Sequence, residues 1–320
     1  MIAQKSILEA VKRLEGKINK TPITFDPKLN VYLKWENKQK TGAFKVRGAL
    51  NKILGLEPWE QERGLVAASA GNHGLGVAYA AKLVGAKATV FIPENSVINK
   101  EQAIRDYEAS VVKVKGGYSA AEKEAQSFAI KKGATWVSPY NDPFVIAGHA
   151  TIGYEIINQI QNFDATSCLV PVSGGGLISG IGSAFEHLKK NIKLIGVQAE
   201  NSPYFHSLYH YGHYNSVLEE ASIADGLTGA VERSSITIPL VRTMLDDFIL
   251  VNENEIEQAV AYAWYHYHEV LEGSAAVPLA AILSKKINVE KTILVISGGN
   301  IQQEFHQSIC SKWEGVWQAT

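Results

Sequence analysis

One side chain whose setting could give it chemistry is a lysine between apolar residues, Lys45, which follows Phe44 and precedes Val46. A predicted helix over residues 43–54 begins at this point, so the amine is expected to be partly desolvated. Desolvation disfavours the charged ammonium form, lowers the pKa of lysine and makes the amine a better nucleophile toward an aldehyde. The same segment also fits an ordinary surface lysine without a chemical role.

A second segment, residues 69–74, joins a predicted strand to a predicted helix. Ser69, Gly71 and Asn72 are residue types that can cap a helix and turn its first amide donors toward an anion. A substrate carboxylate is one candidate for that anion, and a plain capped turn without a ligand is the alternative. The glycines that follow make no dinucleotide-binding fingerprint, because Tyr79 stands where that motif needs Gly or Ala.

Three consecutive glycines, residues 174–176, follow a predicted strand and precede a predicted helix. Such a turn exposes backbone N–H groups at a helix N-terminus, where the helix dipole favours negative charge. We therefore expect this loop to bind a phosphate group, although it lacks the Gly-Lys-Ser/Thr ending of a P-loop. A fourth loop, residues 297–300, follows a late strand, and its Ser297 can either face a ligand or cap the last helix.

These loops lie between short apolar runs and longer segments with helical periodicity. The predicted strands are 31–35, 64–69, 88–92, 111–115, 135–138, 168–172, 194–199, 248–251 and 292–297. The predicted helices are 43–54, 72–84, 100–107, 119–132, 144–161, 177–189, 256–271 and 275–284. This alternation favours an α/β fold with two open, mostly parallel sheets flanked by helices. We expect a small domain, residues 62–139, inserted into a large domain formed by residues 1–61 and 140–320.

Composition narrows the class of protein. The 320 residues include 31 basic and 32 acidic side chains, with a formal net charge of −1. A nucleic-acid-binding protein usually has a basic excess, so we expect no nucleic-acid partner. No stretch approaches the roughly 20 apolar residues that span a bilayer, and residues 1–20 lack the apolar core of a signal peptide. Cys168 and Cys310 are too far apart for a disulfide framework, and we expect a cytoplasmic protein.

In order and spacing, the four loops together resemble one family, the fold-type II pyridoxal-phosphate enzymes of the threonine/serine dehydratase and serine racemase branch. The resemblance covers nearly the whole chain, from about Thr21 to Ser308. It implies a tryptophan synthase β-like fold and pyridoxal 5'-phosphate as the cofactor.

The resemblance also implies roles for individual residues. Lys45 would bind the cofactor as a Schiff base and accept the α-proton of the substrate. Phe44 would lie beside the cofactor ring, Asn72 would hydrogen-bond the 3-hydroxyl group and Ser297 would face the pyridine nitrogen. The remaining cofactor-binding positions are the phosphate loop Ser173, Gly174, Gly175, Gly176 and Leu177, together with Gly226 and Glu272 near the ring. The positions implied for binding the substrate are Ser69, Ala70, Asn72 and His73.

A serine at the pyridine nitrogen leaves the ring neutral, which makes a weaker electron sink and suits expulsion of a β-leaving group. We therefore expect a pyridoxal-phosphate-dependent ammonia-lyase that converts a 3-hydroxy amino acid, such as L-threonine or L-serine, to a 2-oxo acid and ammonia. In the racemases of the family a serine delivers the second proton, and Ala70 at that position disfavours racemisation. Gln198 and Tyr204 stand where metal-binding relatives carry acidic residues, so we expect no metal site.

Three alternatives stay open at this point. One is β-replacement of the cysteine synthase type, against which the glycine-rich loop argues. Another is dehydration of an unusual hydroxy amino acid, for example one derived from hydroxyectoine. A non-catalytic binding protein on the same scaffold is a third, against which the presence of Lys45 argues. The resemblance further favours a homodimer, and we expect the histidines at 206, 210 and 213 to lie on a surface or interface.

Overall fold

The chain is described by a computed structural model that covers residues 1–96, 98–288 and 290–317. In these ranges it forms ten strands and thirteen α-helices. The strands are β1 (Ile23–Asp26), β2 (Val31–Trp35), β3 (Leu65–Ala68), β4 (Ala88–Pro93), β5 (Ser110–Val114), β6 (Thr135–Trp136), β7 (Ser167–Pro171), β8 (Lys193–Ala199), β9 (Asp247–Val251) and β10 (Thr292–Ile296). The helices are α1 (Gln4–Leu14), α2 (Lys45–Leu54), α3 (Pro58–Glu62), α4 (Asn72–Val84), α5 (Ile98–Arg105), α6 (Tyr118–Lys132), α7 (Pro143–Gln159), α8 (Gly176–His187), α9 (Tyr204–Tyr211), α10 (Thr237–Met244), α11 (Glu253–Tyr262), α12 (Gly273–Leu283) and α13 (Gln303–Trp317).

The larger sheet has six strands in the order β1-β2-β10-β7-β8-β9. All neighbours are parallel except β1 and β2, which pair antiparallel. The late strand β10 lies in the interior, where Leu294 pairs with Leu33 of β2 on one side and with Leu169 of β7 on the other. Because the carboxyl ends of parallel strands meet at one edge, the loops that follow β2, β7 and β10 come together there.

The smaller sheet has four parallel strands in the order β5-β4-β3-β6. Its interior strand β3 is buried along its whole length, and β3 leads directly into the loop that begins at Ser69. Both sheets are therefore mostly parallel, are packed against helices and match the predicted fold class.

Three helices meet at glycines beneath the edge where the loops converge. A Cβ atom at Gly148 of α7 would lie 2.4 Å from the main-chain oxygen of Arg47 in α2. A Cβ atom at Gly180 of α8 would lie 2.7 Å from the backbone nitrogen of Ala150 in α7. The absence of side chains at these points lets α2 and α8 pack closely on either side of α7, and α2 and α8 both start at the converging loops.

A buried network of four charges fixes α2 against β2 and α7. Arg47 donates to both carboxylate oxygens of Glu36, at 2.7 and 2.8 Å. It also donates to Glu155 at 2.7 Å, and Lys34 donates to the other oxygen of Glu155 at 2.6 Å. Two positive and two negative groups balance one another, which is the condition under which charges can be buried.

The predicted elements differ from the observed ones in a few places. The helix predicted over 256–271 is shorter, because α11 ends at Tyr262 and a π-helical turn, Ala263–Tyr267, leads to His268 in the left-handed conformation at φ 56°. The predictions also omit β1 and the helices α1, α3, α9, α10 and α13. Among these, α1 buries Ile7, Ala10 and Leu14 at helical spacing and has charged residues between them, which is the pattern of an amphipathic surface helix.

Within the described ranges, no helix combines the length and the apolar character that crossing a membrane requires.

Candidate active site

The segment that carries Lys45 is held by the loop after β10. The backbone N–H of Phe44 donates to the oxygen of Ser297 at 3.0 Å, and that of Gly299 donates to the oxygen of Gly42 at 2.9 Å. Gly42 adopts φ 71°, a left-handed conformation that side chains with a Cβ rarely take. The two loops thus form a short backbone ladder, and Lys45 is the first residue of α2 beyond it.

The amine of Lys45 lies in a partly buried position. Its Nζ donates to the main-chain oxygen of Pro139 at 2.9 Å and lies 5.1 Å from the centre of the Phe44 ring. Burial lowers the pKa of Lys45 to about 8, while the charge of Glu272 acts in the opposite direction. The free amine is therefore a minor form at neutral pH but is far more populated than in an exposed lysine, in the direction that the desolvation argument from the sequence predicted.

The glycine loop lies at the start of α8. The N–H of Ser179 bonds to the oxygen of Gly175, so the amides before Ser179 have no acceptor inside the helix. Gly175 adopts φ 80°, and a Cβ atom at Gly174 would lie 2.3 Å from the ring of Tyr140. Thr237 donates its hydroxyl hydrogen to the oxygen of Gly174 at 2.6 Å, which fixes the loop from the other side.

Ser173 is partly exposed next to this loop, and Leu177 packs into the core beneath it. The loop therefore offers backbone donors in a rigid arrangement that is braced by an aromatic ring and a threonine. This is the donor set that a phosphate group requires.

The loop of the smaller sheet begins with Ser69, whose Oγ accepts the backbone N–H of Gly71 at 3.1 Å. Gly71 precedes α4, and Asn72 is its first residue. A Cβ atom at Gly74 would lie 2.2 Å from the oxygen of Ser69, so the loop folds back tightly on the first turn of the helix. Ala70 is partly exposed at the tip of this turn. The first amides of α4 thus form a second site with positive potential.

His73 differs from its neighbours because its side chain turns inward. Its Nε2 lies 2.8 Å from the oxygen of Val137, and since a carbonyl oxygen only accepts, Nε2 carries the hydrogen. Burial, with the charge of Lys45, lowers the pKa of His73 to about 3. The imidazole is therefore neutral and engaged in the core, which leaves the backbone N–H of His73 as the group that can face a ligand.

Glu272 connects the two sheets. Its Oε1 accepts the side-chain amide hydrogen of Asn72 at 2.7 Å, and the residue is only 7% exposed. Burial and the charge of Asp225 raise the pKa of Glu272 to about 7, although the hydrogen bond from Asn72 acts to lower it. Ser297, at the end of β10, is likewise buried.

Gly226 lies at the outer wall of this site. Its N–H donates to the hydroxyl of Ser274 at 2.9 Å, while the adjacent Asp225 forms an ion pair of 2.8 Å with Lys100 of α5. Gly226 itself is exposed, and its backbone is held by Ser274, which lies two residues after Glu272.

The sequence analysis did not identify Pro139, Tyr140 and Thr237, which contact the predicted site residues directly. A signal existed for the first two, because they follow the predicted strand 135–138 at its carboxyl end, where ligands bind in parallel sheets. His149 also contacts a predicted site residue, Phe44. It is fully buried, its ring lies 4.8 Å from that of Phe44, and neither ring nitrogen has a hydrogen-bond partner of regular geometry in the described part of the chain.

The chain is similar to known proteins in both sequence and fold. The sequence model of the family described as "Pyridoxal-phosphate dependent enzyme" matches residues 14–299. An L-threonine ammonia-lyase of Thermotoga maritima is 39% identical over 320 residues, which cover 98% of this chain and 79% of that protein. The catabolic L-threonine dehydratase TdcB of Staphylococcus aureus is 38% identical, with coverage of 94% and 90%. The structure of serine racemase from Dictyostelium discoideum matches with a TM-score of 0.86 at 34% identity, over 94% of this chain and 99% of that one.

Proposed function

Because this chain belongs to the pyridoxal-phosphate-dependent enzyme family, we propose that it eliminates water from a 3-hydroxy amino acid, such as L-threonine or L-serine, and releases a 2-oxo acid and ammonia. The observation that carries this proposal is the position of the Lys45 amine. It bonds to Pro139, which precedes the Tyr140 ring that braces the glycine loop, and its charge acts on His73 in the first turn of α4. The chain is accordingly a pyridoxal-phosphate-dependent ammonia-lyase.

The residues present fit pyridoxal 5'-phosphate at both of its ends. The amides before Ser179 offer unpaired donors at the positive end of a helix, which suits the phosphate group. Lys45 offers an amine with a pKa of about 8, which suits condensation with an aldehyde. When bound, the cofactor supplies an electron sink for the bonds at the substrate α-carbon.

We assign Lys45 a second task, the acceptance of the α-proton of the substrate. A general base is most effective when its pKa lies near the working pH, and the lowered pKa of Lys45 meets this condition. The amine of Lys45 is oriented by the hydrogen bond that Nζ donates to the main-chain oxygen of Pro139.

The substrate carboxylate is assigned to the first turn of α4, where Ser69, Asn72 and the backbone N–H of His73 surround the positive end of the helix. Ala70 lies in the same turn and has no proton to donate from its side chain. A proton can therefore not be returned to the α-carbon by this residue, which favours elimination over racemisation.

Glu272, Phe44 and Ser297 line the remaining side of the site that we assign to the cofactor ring. A serine hydroxyl beside the pyridine nitrogen accepts or donates a hydrogen bond without transferring a full charge. The ring nitrogen would then remain neutral, which supports expulsion of a hydroxyl group from the β-carbon.

We also propose the organisation in which this site works. Residues 62–139 would form the small domain and residues 1–61 and 140–320 the large one, because the four-stranded sheet falls within the former range. A homodimer is supported by the exposed rings of Trp264 and Phe305, which are 41% and 42% exposed and belong to segments that meet where Trp264 contacts His306. A cytoplasmic location is supported by two free, buried cysteines. Light scattering would test the dimer.

The decisive experiment measures release of a 2-oxo acid and ammonia from L-threonine, L-serine, 3-hydroxyaspartate and phenylserine by the protein loaded with pyridoxal phosphate. We expect turnover of at least one of these, and a loss of about 10³-fold or more in Lys45→Ala. Lys40→Ala is the matched control, since Lys40 is exposed in the same segment. A loaded protein that releases no 2-oxo acid from any of the four would contradict the proposal and favour β-replacement.

A further inference from the structure

Asn300 ends the loop after β10 and makes two side-chain hydrogen bonds. Its Nδ2 donates to the main-chain oxygen of Thr41 at 2.8 Å and to Oδ1 of Asn72 at 2.7 Å. A main-chain oxygen can only accept, so the bond to Thr41 determines which end of the Asn300 amide carries the hydrogens. The orientation of this amide therefore follows from the backbone, and no choice between its two ends remains.

The orientation of Asn300 in turn determines that of Asn72. Because Asn300 presents hydrogens, Asn72 must turn its oxygen toward Asn300 and its Nδ2 away from it. That Nδ2 donates one hydrogen to Oε1 of Glu272 at 2.7 Å. An amide nitrogen has two hydrogens, so one N–H of Asn72 remains available for a further acceptor.

The chain of contacts from Asn300 through Asn72 to Glu272 is short and largely shielded. Glu272 is 7% exposed, and a Cβ atom at Gly298 would lie 2.4 Å from its Oε1. The charged groups near Glu272 are Lys45, Asp225 and Lys100. A rotated Asn72 amide would set its nitrogen against the donor nitrogen of Asn300 and its oxygen against Glu272, so the observed arrangement is the stable one.

We propose that Asn300 is a positioning residue that fixes the side-chain amide of Asn72, so that its remaining N–H points at the 3-oxygen of the cofactor while Glu272 holds the other. The inference rests on the proposed function, in which Asn72 contacts that oxygen. Asn300 itself is assigned no contact with cofactor or substrate. Asn300 acts on the cofactor only through Asn72. A residue that merely stabilised the loop would have no such dependence on Asn72.

The test compares Asn300→Ala, Asn72→Ala and the double variant. Two quantities are measured, the affinity of the cofactor-free protein for pyridoxal phosphate and the pH dependence of the visible absorption of the bound cofactor. We expect each single variant to lower the affinity about three- to tenfold, which is the range for loss of one neutral hydrogen bond. We also expect both single variants to move the midpoint pH of the absorption change in the same direction. The double variant should resemble Asn72→Ala alone, because residues that act through one contact are not additive.

Asn37→Ala serves as the matched control. Asn37 and Asn300 line the same surface pocket, but the side-chain amide of Asn37 donates to Glu269 instead of Asn72. Asn300→Ser, which keeps a donor, is the milder variant if Asn300→Ala does not fold, and it should give a smaller shift in the same direction. Unchanged absorption and affinity in the folded Asn300 variants, or effects that add fully to those of Asn72→Ala, would overturn the proposal.

A failure of the proposed dehydratase activity remains distinguishable from a failure of this inference. The two readouts report cofactor binding and do not depend on ammonia release. A protein that binds the cofactor at Lys45 and shows the coupled Asn300 and Asn72 effects, yet releases no 2-oxo acid, would retain the inference and lose the substrate assignment.

Discussion

Arg47 and Glu36 form a two-point ion pair in which Nε and Nη2 of the guanidinium lie 2.7 and 2.8 Å from the two carboxylate oxygens. Neither side chain is exposed to solvent. Arg47 is two residues beyond Lys45 on α2, so the pair fixes the helix that carries the reactive amine against the strand that precedes it. Charge balance by Glu155 and Lys34 completes the arrangement.

Replacing Arg47 by Met is expected to lower the free energy of unfolding by about 3–5 kcal/mol, because the buried carboxylate of Glu36 would lose the guanidinium that balances its charge. Urea unfolding followed by circular dichroism measures this quantity. Lys5→Met is the control, since Lys5 is largely exposed, its contact with Glu9 is 3.9 Å long, and its removal should change stability by less than about 1 kcal/mol. An Arg47→Met protein as stable as the control would show that the pair contributes little.

Capture of pyridoxal phosphate by the cofactor-free protein should accelerate with rising pH and level off above about 8, the pKa to which burial lowers Lys45. The reason is that only the deprotonated amine attacks the aldehyde. Stopped-flow absorbance at pH 6.5 to 9.5 gives the rates. In Glu272→Gln the midpoint should move to lower pH, because the carboxylate that raises the lysine pKa has been removed. A rate that still rises steeply up to pH 9.5, as the ordinary lysine pKa of about 10.4 requires, would contradict this account.

Stability should fall as the pH drops below about 6.5, partly through His149. Burial holds the pKa of His149 well below its ordinary value, so the folded protein keeps the ring neutral while the unfolded chain binds a proton. Protonation of this group in the unfolded chain therefore lowers the free energy of unfolding by up to about 1.4 kcal/mol for each pH unit of acidification. In His149→Gln, the difference in unfolding free energy between pH 7.0 and 5.5 should be smaller by an amount of this order. Equal differences in both proteins would show that His149 titrates normally.

Gly174→Ala is expected to weaken cofactor binding by about tenfold or more, because the added Cβ would lie 2.3 Å from the Tyr140 ring and displace the loop. Fluorescence titration with pyridoxal phosphate measures the affinity. Combining it with Tyr140→Ala should restore part of the loss by removing the obstacle. Gly315→Ala is the control, since no atom of residues 1–96, 98–288 or 290–317 lies within 4 Å of the added group. Unchanged affinity in Gly174→Ala would mean that the loop tolerates the side chain.

The residue types and local spacing were sufficient to predict the main loops and most strands. Lys45, the three glycines and the turn at Asn72 carry their signal in adjacent residues, because helix starts and tight turns are local events. The position of β10 between β2 and β7 is different, since it depends on contacts between segments about 260 residues apart, which periodicity does not report. The contacts of Tyr140 and Thr237 with the glycine loop were missed for the same reason. The boundaries at 62 and 139 stay a prediction.

The interior position of β10 has a consequence for synthesis on the ribosome. The four-stranded sheet uses residues 65–136 only, so all of its strands are available early in translation. The six-stranded sheet cannot join β2 to β7 until residues 292–296 have left the exit tunnel. Until then the hydrophobic edges of β2 and β7 stay uncovered, which is the kind of surface that chaperones protect. The nascent chain therefore acquires a complete cofactor pocket only when its last strand is inserted.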